Sequence, residues 1–282
     1  MDQSKPIVSL GEYFPEYLES LNSGNILTGI PTGFKSLDDI IDGLPLVGLS
    51  VFAGQPSAGK TSICLQIAVH AAKTGCRSFI VGVEHGIQYY TERIYSQISG
   101  VSGKVIRHSL EITDKNIKKQ LLDASIQISE LGSNLFIINA NSMPLSVTAI
   151  RDIIEPFGTD KPKLIVIDSI QALSFSSAAM TENCIDGVIR EVSQYLSGSL
   201  SASVLCISRK SKSEAKSTSL DGLAFSYGLA FDAHLVMFLQ NTKTKIQSSQ
   251  VEVELVISKN TRGPAKVVIP FFLNADVGAF SE

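Results

Sequence analysis

Gly54-Gln55-Pro56-Ser57-Ala58-Gly59-Lys60-Thr61 follows the apolar run Leu49-Ser50-Val51-Phe52-Ala53 and leads into Ser62-Ile63-Cys64-Leu65-Gln66-Ile67-Ala68-Val69. The octet fits G-x-x-x-x-G-K-[ST] between a strand and a helix, the context that a phosphate-binding P-loop needs. Its glycines let the backbone wrap with N–H groups turned inward, and the helix opening near Lys60 adds its positive dipole end toward the same anion. Gly54, Pro56, Ser57, Ala58, Gly59 and Ser62 then frame the phosphates. Lys60 is expected to reach the β- and γ-phosphates, and the Thr61 hydroxyl to ligate magnesium. The expected ligand is a nucleoside triphosphate with Mg2+. The alternative is a Gly-rich turn that merely joins a strand to a helix.

Composition sets outer bounds. The chain has 282 residues, 44% hydrophobic and 18% charged, which suits a globular protein with a substantial interior. Its apolar runs are strand-sized and interrupted, so no membrane span is expected, and Met1-Asp2-Gln3-Ser4-Lys5 opens no signal peptide. Cys64, Cys76, Cys184 and Cys206 are scattered without a C-x-x-C, which points to free thiols in a reducing cytoplasm rather than to zinc or disulfides. A net charge of −3 argues against a protein that coats polyanions generally, and leaves room for a local basic loop.

Residues 1–26 read as a leader. Leu10, Phe14, Tyr17, Leu18 and Leu21 form a stripe at helical spacing opposite Glu12, Glu16 and Glu19. The helix starts either at a capping box made by Ser9 and Glu12 or at Pro15 as its first residue. Its apolar stripe packs either on the chain's own core or on a neighbouring subunit. From residue 27 to 282, strands and helices alternate, the signature of an α/β domain with a mostly parallel sheet. Strands are expected at 49–53, 78–83, 135–138, 164–167, 203–207, 235–239, 251–257 and 266–271. Helices are expected at 37–41, 61–73, 87–99, 114–131, 145–155, 183–197 and 220–225. The turn-rich Lys259-Asn260-Thr261-Arg262-Gly263-Pro264 makes the last two strands an antiparallel hairpin.

Hydrolysis needs more than a P-loop, namely an acid that orients the metal and a group that activates water. Asp168 ends the run Leu164-Ile165-Val166-Ile167, a Walker B pattern whose carboxylate reaches magnesium; the alternative is an acid that caps the next turn. Glu84 ends Ser78-Phe79-Ile80-Val81-Gly82-Val83. If that strand lies next to the P-loop strand, Glu84 faces the γ-phosphate as general base; otherwise it is a helix N-cap. Arg209 ends the strand from Ser203 to Ile207, where a polar side chain can sense the γ-phosphate. With Lys210, Lys212 and Lys216 it forms a basic segment that either tracks a nucleic-acid backbone or is simply a solvated loop. Lys259 and Arg262 suit a finger delivered to a neighbour's nucleotide, or are two solvated cations.

Taken together, these residues resemble the RecA-like motor domain of DnaB-type replicative helicases, from about Tyr13 to Phe272. Thr28-Gly29-Ile30-Pro31-Thr32-Gly33-Phe34-Lys35-Ser36-Leu37-Asp38 is similar to the family's opening TGxxTGFxxLD. Val83-Glu84, Ile167-Asp168-Ser169-Ile170-Gln171, Cys206-Ile207-Ser208-Arg209, Phe231-Asp232-Ala233-His234 and the Lys259–Pro264 segment stand where the family has its other motifs. The resemblance implies a homo-oligomeric ring, usually of six subunits, with nucleotide at each interface and single-stranded DNA in the channel. It also implies contacts with other replication proteins, and a leader helix that docks on the next subunit.

The chain departs from the pattern. No stretch matches the amino-terminal domain that full helicases use for collar formation and primase contact. Arg209 replaces the sensor glutamine. Arg262 is displaced by one residue toward Gly263, which shifts the finger role to Lys259. Residues 224–231 replace the polar RESGSIEQ stretch of the DNA loop. Three readings follow: an ATP-dependent helicase or translocase; a RecA/RadA- or KaiC-like ATPase that remodels DNA or protein without unwinding; and an assembly subunit that binds nucleotide and hydrolyses it weakly.

Overall fold

The computed structural model describes residues 7, 9–22, 28–140, 145–173, 184–209, 218, 220, 227–245 and 249–282. The strands are β1 (Gly48–Gly54), β2 (Arg77–Gly82), β3 (Leu135–Asn139), β4 (Lys163–Asp168), β5 (Ser203–Arg209), β6 (Leu235–Lys245), β7 (Gln250–Asn260), β8 (Val267–Asn274) and β9 (Ala279–Ser281). They form one sheet in the order β3-β2-β4-β5-β1-β6-β7-β8-β9. Strands from β3 across to β6 pair in parallel, and β6 through β9 pair antiparallel. The expected hairpin is therefore present, and β9 extends it.

The order corrects one expectation. β2 is not beside the P-loop strand, because β4 and β5 lie between it and β1. All seven residues of β1 and all six of β4 are buried. Strands covered on both faces read as continuous aliphatic runs, which makes them easy to find and gives no hint of their neighbours.

The helices are α1 (Leu10–Asn22), α2 (Lys35–Ile41), α3 (Lys60–Lys73), α4 (Ile87–Ser99), α5 (Gly103–Arg107), α6 (Lys115–Glu130), α7 (Val147–Ile154), α8 (Cys184–Glu191) and α9 (Tyr227–Asp232). One apolar layer joins α2, α3 and α4 to the sheet through Leu37, Ile63, Ile67, Tyr90 and Ile94. The opposite layer uses Ile150, Ile154, Val188, Ile189 and Leu229 from α7, α8 and α9. Asp114 caps α6 by accepting from Asn116 and Ile117, and Ser146 caps α7 by accepting from Ala149. α8 continues into a wider π-helical turn over Val192–Ser199, a lengthening of the helix expected at 183–197. α5 and β9 escaped the sequence reading because five and three residues carry too little periodicity. Most of the helix expected at 220–225 lies outside the described residues.

α1 begins at Leu10, where Ser9 O accepts from the N–H groups of Glu12 and Tyr13, and it runs through Pro15. None of its residues is buried. Leu10 is 75% exposed, and Phe14, Tyr17, Leu18 and Leu21 are each at least 40% exposed, so the stripe does not pack on this chain's core. Among the described residues no helix is long and apolar enough to cross a membrane. Cys64, Cys76 and Cys206 are buried free thiols, and Cys184 is not described at the side-chain level.

Candidate functional site

The P-loop closes where β1 hands over to α3. Gly59 stands at the helix N-cap with φ of 91°, and a Cβ there would come within 2.5 Å of the Phe280 ring. Only glycine satisfies both conditions. Phe280 is held in return by Gln66: its N–H donates to Gln66 Oε1 and its carbonyl accepts from Gln66 Nε2, both at 2.9 Å. The phosphate loop therefore rests on β9. Lys60 Nζ lies at the loop mouth, donating to the carbonyls of Gly54 (2.9 Å) and Gln55 (2.7 Å). Burial pulls its pKa below the ordinary lysine value, partly offset by Asp168.

The acids expected from β2 and β4 do meet the P-loop, by another route than strand adjacency. Thr61 Oγ1 donates to Asp168 Oδ2 at 2.9 Å. Asp168 is 4% exposed, and burial raises its pKa against the pull of the Thr61 hydrogen bond. The N–H groups of Val83 and Glu84 both donate to the Asp168 carbonyl, at 3.1 and 3.2 Å, tying the end of β2 to the end of β4. Glu84 does not cap α4, because Gly86 holds that position. Instead Ser169 Oγ donates to Glu84 Oε1, and Arg209 Nη2 lies 2.8 Å from Glu84 Oε2. Burial alone would raise the Glu84 pKa. The Arg209 and Ser169 hydrogen bonds outweigh it and hold the carboxyl below its ordinary range.

These groups share one cavity of about 780 Å³, lined by Gly54, Pro56, Ser57, Gly59, Lys60, Thr61, Ser62, Glu84, Asp168 and Arg209. Ala58 is wholly buried. Gln171 links the ends of β4 and β5, accepting from the Arg209 N–H at 3.3 Å and donating to Ser208 Oγ at 2.8 Å. Thr61 hydroxyl and Asp168 carboxylate are hard oxygen donors. That set fits Mg2+, which binds one or two carboxylates together with substrate phosphates and water.

Part of the wall was missed from sequence. The His85 and Tyr89 rings lie with centroids 4.0 Å apart, tilted by 34°, the Arg93 guanidinium lies 4.7 Å from the Tyr89 centroid, and Arg93 Nη1 donates to Ser62 Oγ at 3.1 Å. Their i, i+4, i+8 spacing at the start of a helix was the available signal. The turn between β8 and β9 supplies Ala275 and Gly278 opposite them.

Other expected residues lie elsewhere. The hairpin residues Lys259 and Arg262 sit at the opposite ends of the strands from the P-loop, since Asn260 pairs with Leu235 and Leu235 with Ser50 near the start of β1. Lys259 Nζ donates to the carbonyls of Ala230 and Phe231 at 2.9 Å, closing the end of α9, while Arg262 lies 3.7 Å from Asp42. Lys210, Lys212 and Lys216 lie outside the described residues.

Known proteins resemble the chain in sequence and in fold. The chain is 25% identical over 254 residues to the probable plasmid replicative DNA helicase of Chlamydia trachomatis serovar L2, covering 86% of this chain and 53% of that one. It is 26% identical over 259 residues to the replicative DNA helicase DnaB of Geobacillus stearothermophilus, covering 88% and 55%. The chain thus spans about half the length of the curated relatives it matches. A solved ATPase domain superposes with a TM-score of 0.86 at 23% identity, over 97% of this chain and 98% of that one. A DnaB-like replicative helicase, solved for its interactions with primase, superposes with a TM-score of 0.82 at 23% identity, over 98% and 67%. The RecA-like α/β fold is the one expected. The profile of the DnaB-like helicase C terminal domain matches residues 29–282, so the chain belongs to that family.

Proposed function

We propose that this chain is the ATP-hydrolysing motor of a DNA helicase or translocase acting on single-stranded DNA. The observation that carries the reading is the convergence of Lys60, Thr61, Glu84 and Asp168 from three separate strand ends on one cavity. The P-loop amides and Lys60 hold the triphosphate, and Thr61 and Asp168 hold magnesium, which neutralises charge developing on the phosphates. Glu84 orients the attacking water and takes its proton.

Assembly follows from two surfaces. The exposed stripe of α1 docks on a neighbouring copy, making residues 1–26 a linker ahead of the ATPase domain at 27–282. Arg262, loosely paired, reaches the neighbour's nucleotide more readily than Lys259, whose ammonium is engaged on α9. This reverses the order suggested by the sequence pattern. The result is a ring of copies, six in the family's usual arrangement, around single-stranded DNA in the cytoplasm.

Magnesium-dependent ATP hydrolysis, stimulated by single-stranded DNA, with strand displacement on a forked duplex, tests the reading. Hydrolysis without displacement favours the remodelling alternative. Turnover indifferent to DNA favours the weakly hydrolysing assembly subunit, for which the engagement of Glu84 by Arg209 speaks. Electron microscopy with nucleotide and DNA reads the assembly directly.

Lys210, Lys212 and Lys216 are proposed DNA-backbone contacts together with Arg209. Replacing all three lysines with Ala is expected to weaken single-strand binding and to flatten its log–log salt dependence by about 2. An unchanged slope removes these residues from the DNA path.

A further inference from the structure

β2 and β4 pair in parallel with Gly82 directly opposite Asp168. Gly82 has an ordinary backbone conformation, so its missing side chain answers a packing need instead. A Cβ at this position would collide with the Tyr90 ring. Tyr90 stands in the second turn of α4, wholly buried, with its ring edge-on to Tyr89 at 5.3 Å. Over the bare backbone of Gly82 the ring crosses β2, and its hydroxyl donates to Asp168 Oδ2 at 3.3 Å. The same oxygen accepts from Thr61 at 2.9 Å. Two hydroxyls, one from the P-loop helix and one from α4, thus fix a single carboxylate oxygen. Oδ1 accepts from no described residue and is left for the metal or one of its waters.

We infer that Tyr90 is a positioning residue for magnesium: it orients the Asp168 carboxylate through the gap at Gly82. The inference rests on the reading of Thr61 and Asp168 as the magnesium side of a nucleotide site. Groups that hydrogen-bond to metal-ligating side chains fix their orientation, and losing one typically weakens metal affinity. A phenylalanine at 90 would fill the same space, so the hydroxyl can be removed without opening a cavity.

The test is a titration of Mg2+ against the affinity for a non-hydrolysable ATP analogue, in the parent chain and in Tyr90→Phe. The variant is expected to need about tenfold more Mg2+ for half of the affinity gain, with unchanged affinity in EDTA. Gly82→Ala, which displaces the ring, is expected to shift the midpoint the same way and to add little on top of Tyr90→Phe. If the parent shows a magnesium response and Tyr90→Phe matches its midpoint to within about twofold, Tyr90 is only a core residue and the inference falls. A parent chain with no magnesium response sinks the nucleotide-site reading itself, a separable outcome.

Discussion

Glu84→Gln is expected to keep nucleotide affinity and to lose turnover, by roughly a hundred- to ten-thousand-fold, the range general-base catalysis contributes. The carboxamide preserves size and can still accept from Ser169, so the cavity keeps its shape. What disappears is an anionic oxygen able to take a proton from water. Steady-state hydrolysis alongside equilibrium binding of a non-hydrolysable analogue separates the two effects, and unimpaired hydrolysis would remove Glu84 from the chemistry. The pH profile follows the same carboxyl. Held below its ordinary 4.5, it stays charged throughout the neutral range and protonates only under acid conditions. In Arg209→Ala the burial that raises its pKa is less opposed, so the acid limb of turnover should move to higher pH. An acid limb that stays in place would show that Arg209 does not set the charge on Glu84.

Lys60→Ala is expected to abolish useful nucleotide binding as well as turnover. Charge-assisted hydrogen bonds are worth about 1.5–3 kcal/mol each, so losing the ammonium should cost about ten- to a hundredfold in triphosphate affinity per contact. The fold should survive, because among the described residues the hydrogen bonds of Lys60 Nζ go to carbonyls of its own loop, Gly54 and Gln55. Thermal melting with and without ATP gives the reading: an unchanged melting temperature without ligand, and no ligand-induced rise. A variant that retains the parent's affinity would mean that the loop is not a phosphate grip, and the functional proposal would fall with it.

The sequence reading found what local pattern can express. β1, β4 and β5 were legible because burial on both faces leaves mostly apolar runs, and α4 has the bounds expected for it, Ile87–Ser99. The polar second half of β6, from Gln240 onward, was missed because a long antiparallel strand is read by its partner β7 rather than by its own hydrophobicity. Sheet order was beyond reach. The interposition of β4 and β5 between β1 and β2 is decided by crossover handedness and helix packing, which leave no mark on any one strand. The P-loop and Asp168 were visible because each is a local motif. Tyr90 and Arg93 were not, since each acquires its place only when separate strand and helix ends close on one another. The pairing of Gly82 with Asp168 is such a case: a glycine inside a strand says little until its cross-strand neighbour is known.

The clamp of Gln66 on Phe280 joins regions more than two hundred positions apart in the chain. β9 is one of the two edge strands of the sheet, pairing among the described strands with β8 alone, and edge elements fray most readily. Any loosening there withdraws the prop beneath Gly59, so the proposed grip on a triphosphate inherits the fragility of the sheet's margin. Replacing Phe280 with Ala is therefore expected to register first as weaker retention of the proposed nucleotide, well before the molecule loses its shape.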